Sequence, residues 1–317
     1  MNKREFLFLY DAKDCIPNGD PFTGEQRYDE DTQTALVSDV RLKRYIRDFI
    51  DYNSGKEWLD ENRDKIFYSD KSGKKTTGSR ASEISPKKKN IDNLEDLKNK
   101  CIDVRLFGVV VAGDKQKKEY NTQLTGAVQF KIFNRTLNKV FLPTTQNTSI
   151  MLSSKNNEQG AIATFSYLPY GLFSCIGYFN PNIGKENGVT EDDLDKMKIA
   201  LWNEINTKNT RSKNSQQSRL MIEIEYIDDY YKIPDIEYSI GLKNEKKFKY
   251  RKFDDIKGDL DFSKLEKFLN NSKDFIKMVK IYIDKFSFNK DFLKVDKELK
   301  EKVKYFTIEG TTIKELK

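Results

Sequence analysis

Four basic side chains fall within seven residues of one short segment: Arg41, Lys43, Arg44 and Arg47. Cations near the start of a helix oppose its dipole, each at a cost of roughly a few tenths of a kcal/mol or more. A phosphate group held by the free amides of the first turn and by these side chains would remove that cost. We therefore predict an anionic ligand here. The alternative is a solvated face whose cations pair with nearby carboxylates, namely Asp29, Glu30, Asp31 and Asp39.

Local signals predict that these cations belong to a helix that packs on a sheet. Ser38 is a good N-cap, and Asp39 complements the dipole in the first turn. A single apolar stripe then recurs at helical spacing through Leu42, Ile46, Phe49 and Ile50.

The segment before this helix predicts a strand followed by a long loop. EFLFLY, residues 5–10, is a nearly continuous apolar run typical of a strand central in a sheet. Its face of Phe6, Phe8 and Tyr10 either belongs to the core or offers a platform on which bases stack. Residues 11–37 then carry the turn formers PNGDP and TG, which predict a polar loop of roughly 25 residues.

Composition excludes several enzyme classes. The chain has no histidine, which removes the usual general base at neutral pH and every Ser–His or Cys–His nucleophile. The three cysteines are widely spaced and predict reduced thiols rather than disulfides or a zinc site. We therefore expect a protein that is not an enzyme and has no cofactor.

A metal-dependent ribonuclease remains as an alternative, because the loop is rich in carboxylates that suit hard divalent cations. These are Asp14, Asp20, Glu25, Asp29, Glu30 and Asp31. Their spacing does not match an EF-hand loop, and neighbouring cations compete for them. Asp20 or Asp29 would be the metal-binding group in such an enzyme.

Length and charge are those of a globular protein of 317 residues with a very polar surface: 34% of residues are charged, and the mean hydropathy is −0.75. No apolar run approaches the roughly 18 residues of a membrane span, so we expect no membrane association and a cytoplasmic location. The net charge of +7 points weakly to an anionic partner.

The rest of the chain alternates between sheet and helix signals. Residues 52–100 are lysine-rich and polar, an excursion expected to be mobile around SGKKTTGSRAS. Strands are predicted over 103–113, 125–133, 171–180 and 220–227. Thr190 caps a predicted helix with Leu194, Met197, Leu201 and Ile205 inward. A protruding hairpin or loop is expected over 141–168, a basic flexible loop over 206–219, and helical stretches such as 263–283 near the C-terminus.

This order of elements predicts an α+β fold with a split βαβ, ferredoxin-like layout and long insertions. Two insertion features bear on function. Ile150-Met151-Leu152 stands alone among polar residues, either as a wedge between stacked bases, as a contact with a neighbouring subunit, or as core. Arg211, Lys213 and Arg219 either grip a nucleic-acid backbone or belong to an ordinary solvated loop.

Five sequence features in order resemble the backbone subunit of type I CRISPR effector complexes, the Cas7 family, most closely its type I-B (Csh) branch. They are PNGDP at 17–21, Arg27 followed by an acidic run, VSDVRLKRYIRD at 37–48, DVRLFG at 103–108 and LTGAVQF at 124–130. The resemblance continues more weakly through LPYG at 168–171 and TRSK at 210–213.

The resemblance implies an RRM-like palm (1–51, 101–140 and 169–230), a finger-like insertion (52–100) and a thumb hairpin (141–168). A lysine-rich helical C-terminal part (231–317) would pack on the palm. Copies would polymerise along a CRISPR guide RNA in a helical filament, with other effector subunits, and present the guide for pairing with target DNA in antiviral defence. Type I members are not expected to cut RNA.

The family's serine and Lys-Arg pair fall on Ser38, Lys43 and Arg44, where contact with the guide backbone is implied. The predicted RNA-binding residues are Asn18, Gly19, Arg27, Ser38, Arg41, Lys43, Arg44, Arg47, Gln129, Arg135, Met151, Arg211, Lys213 and Arg219. No metal site is predicted. Besides the ribonuclease, a protein-only assembly subunit is the remaining alternative.

Overall fold

The computed structural model describes residues 1–69, 73, 75–86, 91–112, 122–152 and 160–316, with the backbone alone for 91–93, 147–152 and 160–163. Its α-helices are α1 (Asp39–Tyr52), α2 (Thr77–Ile84), α3 (Ile91–Lys100), α4 (Ile102–Phe107), α5 (Pro181–Asn187), α6 (Glu191–Thr207), α7 (Phe253–Lys257), α8 (Ser263–Asn271) and α9 (Lys297–Lys302). Its strands are β1 (Arg4–Cys15), β2 (Tyr28–Asp29), β3 (Thr34–Ser38), β4 (Gly108–Val111), β5 (Thr122–Thr125), β6 (Val128–Phe130), β7 (Phe133–Thr136), β8 (Thr144–Leu152), β9 (Gly160–Ser166), β10 (Leu168–Phe179), β11 (Gln216–Tyr226), β12 (Gly241–Leu242), β13 (Leu260–Asp261), β14 (Ile276–Ile283), β15 (Val303–Glu309) and β16 (Thr312–Glu315).

Ten strands of the described chain form one mixed sheet, in the order β16-β15-β14-β11-β1-β10-β7-β3-β2, with β6 pairing with β10 off this path. β1 lies at its centre, with Phe8 opposite Cys175 on one side and Met221 on the other. β14 and β15 run parallel and are connected through α9. The predicted combination of helices with a large sheet is confirmed.

The alternation of apolar residues along β1 supplies both faces of the sheet. Phe6, Phe8 and Tyr10 are buried in a core that also holds the apolar stripes of α1 and α6. Leu7 and Leu9 belong to a second core on the other face, built with α7, α8 and α9. The aromatic face of β1 is therefore core, and the alternative of a base-stacking platform is wrong.

The two long helices follow their predicted signals. Ser38 caps α1, whose residues Leu42, Ile46 and Ile50 are buried. Thr190 and Asp193 form a capping box at the start of α6. Leu194, Met197, Leu201 and Ile205 lie in the same core. The predicted hairpin within 141–168 is confirmed as the antiparallel pair of β8 and β9.

Two predicted regular segments are wrong in part. Of the strand predicted over 103–113, residues 108–111 form β4, but residues 103–107 form helix α4, in which Asp103 and Arg105 are both buried against partners elsewhere in the chain. The predicted helix over 263–283 ends at Asn271, and β14 follows. The apolar residues of β14 enter the core by pairing with β11, so the C-terminal part is not simply helical: it extends the sheet.

The long loop is shorter than predicted, and part of the stretch SGKKTTGSRAS forms a helix, while its residues 72 and 74 lie outside the described residues. β1 continues to Cys15, and residues 28–29 and 34–38 form β2 and β3 at one end of the sheet, so strands interrupt the predicted loop and its longest stretch outside named strands is 16–27. Within the stretch predicted to be mobile, Thr76 caps α2. α2, α3, α4 and β4 contribute to a small third core around Phe67, Leu97 and Val104. No helix in the described part of the chain has the length and apolar character needed to cross a membrane.

Candidate nucleic-acid interface

The start of α1 is fixed by one buried asparagine. Asn18 Oδ1 accepts hydrogen bonds from the Ser38 amide (2.7 Å) and the Ser38 hydroxyl (2.9 Å). Ser38 Oγ in turn accepts the hydrogen bond of the Arg41 amide at 3.3 Å. These polar groups of Asn18 and Ser38 therefore hold the helix cap. The sequence predicted contact with the RNA backbone for both residues and did not predict this structural role.

Most cations of α1 have internal carboxylate partners. Lys43 Nζ lies 3.1 Å from an oxygen of Asp39 and donates to Gln129 Oε1 at 3.1 Å. Arg44 Nε lies 2.5 Å from Asp48 Oδ1 along the helix, with 55% of its side chain exposed. The alternative of a self-paired face is thus correct for these two residues, although Asp39 is the only carboxylate of the predicted set that takes part.

Arg47 pairs across the fold. Its Nε lies 2.9 Å from an oxygen of Asp103 in α4, and its guanidinium lies 4.9 Å and 5.3 Å from the ring centres of Tyr68 and Phe107. Asp103 also accepts the amides of residues 67 and 68. Arg47 therefore ties α1 to α4 while presenting a cation at the same surface.

Arg41 differs from its neighbours. Its guanidinium lies 4.0 Å over the ring of Tyr45, and its Nε and one Nη are buried with no hydrogen-bond partner in the described chain. The pKa of Lys213 is lowered by burial and further by the positive charge of Arg41. The charges of Arg41 and Lys213 therefore repel each other, and neither residue forms an ion pair with the described residues. Burial raises the pKa of Glu204, and the charge of Arg41 opposes that rise.

Two adjoining cavities flank the first turn of α1 and share Asp39, Val40 and Arg44; we name them together the α1 groove. The first, about 460 Å³, is lined by Asn18, Arg27, Ser38, Asp39, Val40, Arg41, Arg44, Ile132 and Phe133. The second, about 430 Å³, is lined by Asp39, Val40, Lys43, Arg44, Arg47, Tyr68, Phe107, Gly108, Val109, Val110 and Leu124. Both cations and apolar side chains line the groove.

Two other arginines predicted to bind RNA near this surface form ion pairs within the chain. Arg27 pairs with Asp20 at 3.2 Å, and Arg135 on β7 pairs with Asp29 and lies 3.1 Å from Thr32 Oγ1. The contact with Arg135 lowers the pKa of Asp29. Gly19 allows a close approach, because a Cβ there would lie 3.2 Å from the carbonyl oxygen of Gly24.

The remaining predicted residues do not line the α1 groove. Arg211 lies 4.9 Å from the Phe165 ring centre and lines another cavity, of about 610 Å³, beside the base of the β8–β9 hairpin. Arg219 pairs with Asp11 and Asp284 and stacks on Phe253 of the second core, so it faces away from α1. The side chain of Met151 lies outside the described residues.

The loop carboxylates do not converge. Asp20 and Asp29 each pair with an arginine, and Glu25 accepts from the Ser166 hydroxyl. In the part of the chain that the structure describes, no three His, Cys, Asp or Glu side chains come together as a metal site. The thiols are also shielded: burial raises the pKa of Cys15 to about 12.

Two motif glycines close the wall of the groove. Gly108 ends α4 with a φ of +80°, and a Cβ there would lie 2.2 Å from the carbonyl oxygen of Leu124. A Cβ on Gly126 would lie 2.2 Å from the carbonyl carbon of Phe107. The motifs DVRLFG and LTGAVQF thus bring two backbones into contact beside Lys43 and Arg47.

We expect Gly126→Ala to lower the free energy of unfolding by about 1–3 kcal/mol, because the methyl group would collide with backbone that must shift. Gly258→Ala is the matched control: its φ is −71° and nothing lies within 4 Å of an added Cβ. Urea denaturation of both variants measures the difference. Equal stabilities would contradict the backbone contact.

Sequence reasoning missed the apolar part of the groove. Val40, Ile132 and Phe133 are 65%, 69% and 40% exposed. The signal was available in the adjacent apolar residues Ile132 and Phe133, because neighbouring side chains of an extended segment point to opposite sides and cannot both enter the same core. Tyr45 was also detectable, since it lies one helical turn after Arg41.

Comparisons of the sequence and of the structure with known proteins all find CRISPR-associated proteins. The family model described as CRISPR-associated protein Cas7 matches residues 2–261. A protein of that name from Haloferax volcanii is 28% identical over 285 residues, covering 82% of this chain and 81% of the relative. A chain of a solved "CRISPR RNA-guided surveillance complex" has a TM-score of 0.53 at 13% identity, covering 92% of this chain and 93% of its own. A second, from a pre-nicking complex, has a TM-score of 0.52 at 13% identity, covering 94% and 95%.

Proposed function

Because the chain belongs to the CRISPR-associated Cas7 family, we propose that it is a non-catalytic scaffold subunit of a type I effector complex that binds guide RNA through the α1 groove. Copies of the chain assemble along the RNA beside other effector subunits and present the guide for pairing with target DNA. The type I-B branch is part of the proposal. In this arrangement the guide RNA recognises the target sequence by base pairing, while the protein contacts the phosphates of the guide.

One observation carries the proposal: Arg41, which lines the α1 groove, and Lys213, a cation close enough for the charge of Arg41 to lower its pKa, both lack an ion pair among the described residues. Arg41 is half-buried with two nitrogen donors that lack partners, and its charge helps to lower the pKa of Lys213, so positive charge here has no direct carboxylate partner among the described residues. Burying an unpaired charge is expensive, so such a pair favours an anion from outside the chain. An RNA phosphate supplies that charge, and the exposed apolar residues of the groove suit contacts with sugars and bases.

The fold supports the same assignment. The strands β11, β1, β10 and then β6 and β7 are neighbours in the sheet, and α1 and α6 pack on one face. This is the order of a split βαβ unit, which we propose is the RRM-like palm. The β8–β9 hairpin is the proposed thumb, and residues 52–100 the proposed finger. The proposed absence of catalysis is supported by the pairing of Asp20 and Asp29 with arginines.

The test is the double variant Arg41→Ala with Lys213→Ala. We expect the slope of log affinity for single-stranded RNA against log salt to fall in magnitude by about 1.4, from two lost phosphate contacts at about 0.7 each. At 0.15 M salt this corresponds to affinity about tenfold weaker. Fluorescence anisotropy with a labelled oligonucleotide over a salt series measures both quantities.

The matched control is Lys56→Ala with Lys247→Ala, which removes the same net charge from exposed positions. If the two double variants have the same salt slope, the α1 groove does not hold the RNA phosphates, and a protein-only assembly subunit becomes the better account. Fragments of the labelled RNA that appear with magnesium and vanish with EDTA would instead contradict the non-catalytic assignment.

A further inference from the structure

A second basic cavity lies at the C-terminal end of the sheet, outside the residues that match the family model. The loop after β14, helix α9 and the ends of β15 and β16 enclose about 630 Å³. Four lysines line it: Lys290, Lys294, Lys300 and Lys304. Asp291 and Glu315 are the carboxylates that line it, so the lining carries two excess positive charges.

Three of these four lysines have no counter-ion among the described residues. Lys304 lies 3.5 Å from Glu315, whereas Lys290, Lys294 and Lys300 form no ion pair with the described residues. Nearby lysines do find partners: Lys273 pairs with Glu298 at 2.6 Å, and Lys314 with Glu309 at 2.7 Å. Carboxylates are therefore at hand in this region, and positive charge is left over at the cavity.

The cavity also has a firm wall. Leu293 and Tyr305 are each 5% exposed, and the Leu316 amide donates to the Tyr305 carbonyl at 2.8 Å, which closes the sheet edge behind them. Burial is the main reason that the pKa of Tyr305 is raised, to about 12. The tyrosine therefore stays neutral, and the lysines define the charge of the site.

We propose that this cavity binds phosphate groups of a nucleic-acid strand, as a site separate from the α1 groove. Lysines are compact charges on flexible stems and suit phosphate oxygens whose geometry varies along a backbone. β15 lies six strand positions from β3, which leads into α1; at about 4.8 Å per strand this separates the two sites by roughly 29 Å. A free nucleotide offers the same phosphate chemistry, and the experiment distinguishes the two sources.

The test is the triple variant Lys290→Ala, Lys294→Ala, Lys300→Ala in the full chain. Binding of a labelled 20-nucleotide single strand is measured by anisotropy over a salt series, and binding of ADP by calorimetry. We expect strand affinity at 0.15 M salt to fall at least tenfold and the salt slope to fall in magnitude by about 2, from three lost contacts at about 0.7 each. The matched control, Lys56→Ala, Lys247→Ala, Lys257→Ala, also removes three exposed lysines.

Each outcome either supports or overturns the proposed site. Loss of ADP binding with unchanged strand binding overturns the nucleic-acid assignment in favour of a free nucleotide. A lysine triple that matches its control with both probes overturns the site. Repeating the triple in the Arg41→Ala, Lys213→Ala background separates the two proposals: a further loss of affinity there supports this cavity even if the α1 variant alone binds as the wild type does.

Discussion

Replacing Arg105 with alanine should lower the free energy of unfolding by about 3–5 kcal/mol, because it removes the nearest cation of buried Asp193 and one of the two cations of buried Asp64, the other being Lys196. The Arg105 side chain is 1% exposed, and its Nη2 lies 2.7 Å from Asp193 Oδ1 and 3.3 Å from Asp64 Oδ1. Its Nη1 donates to the carbonyls of residues 63 and 98, each at 2.9 Å. Urea denaturation at pH 7 measures the loss.

The position of Arg105 explains the size of this effect. Burial would raise the pKa of Asp193, but the hydrogen bonds and charge of Arg105 outweigh it, and the pKa is lowered. Asp193 also closes the capping box of α6 by accepting the Thr190 amide at 2.8 Å. A single guanidinium therefore joins α4, the end of α3, the segment before residue 65 and the start of α6.

Two variants test whether burial or charge alone is responsible. Arg63→Ala removes a cation from the same cluster, 3.2 Å from Asp193, but from a side chain that is 33% exposed, so we expect a much smaller loss. Arg105→Lys keeps the charge but cannot donate to all these groups, and it should remain well below the wild type in stability. A loss below about 1 kcal/mol in Arg105→Ala would contradict the role of Arg105 as the hub of the cluster.

Arg105 also shows why part of the fold could not be predicted from the sequence. β1, α1, α6 and β10 were predictable because their patterns refer to local geometry: alternating faces, caps and helical stripes. The run at 103–107 was misassigned because the burial of Arg105 there depends on partners about 40 to 90 residues away, Asp64 and Asp193, which the local sequence does not reveal. β14 was missed for a related reason, since its helix-like sequence becomes a strand by pairing with β11.

The candidate site divides in the same way. Sequence located the basic first turns of α1, because the charges are adjacent along the chain. It could not rank them, because their partners are set by the fold. Lys43 and Arg44 pair with carboxylates of α1, Arg47 pairs with Asp103 of α4, and Arg41 forms no ion pair with the described residues. The chemistry of the groove thus depends on which cation lacks a partner rather than on how many cations there are.

Glu223→Gln should be destabilising at neutral pH by about 3–5 kcal/mol, because it removes the charge between two buried cations. Arg4 Nη1 lies 2.7 Å from Glu223 Oε1, and Lys198 Nζ and the Tyr282 hydroxyl lie 2.6 Å and 3.0 Å from Oε2. The glutamate side chain is fully buried. Glutamine keeps the volume but leaves Arg4 and Lys198 without this counter-charge.

The loss should depend on pH in a defined window. Burial alone would raise the pKa of Glu223, but the charges of Lys198 and Arg4 lower it to about 2, from 4.5 in the unfolded chain. A lowered carboxylate pKa gives stability that is fully present above 4.5 and is lost as the pH falls toward 2. The difference in unfolding free energy between wild type and Glu223→Gln should therefore be constant from pH 7 to about 5 and shrink below it.

Glu309→Gln is the control that separates burial from pKa. Lys285 and Lys314 lower the pKa of Glu309 to about 2 as well, but these groups lie at the surface, where solvent screens the pair. We expect Glu309→Gln to change stability little at any pH, although both glutamates titrate in the same range. If the two variants lost stability equally, desolvation of Arg4 and Lys198 would not be the cause, and the buried triad would contribute no more than an exposed ion pair.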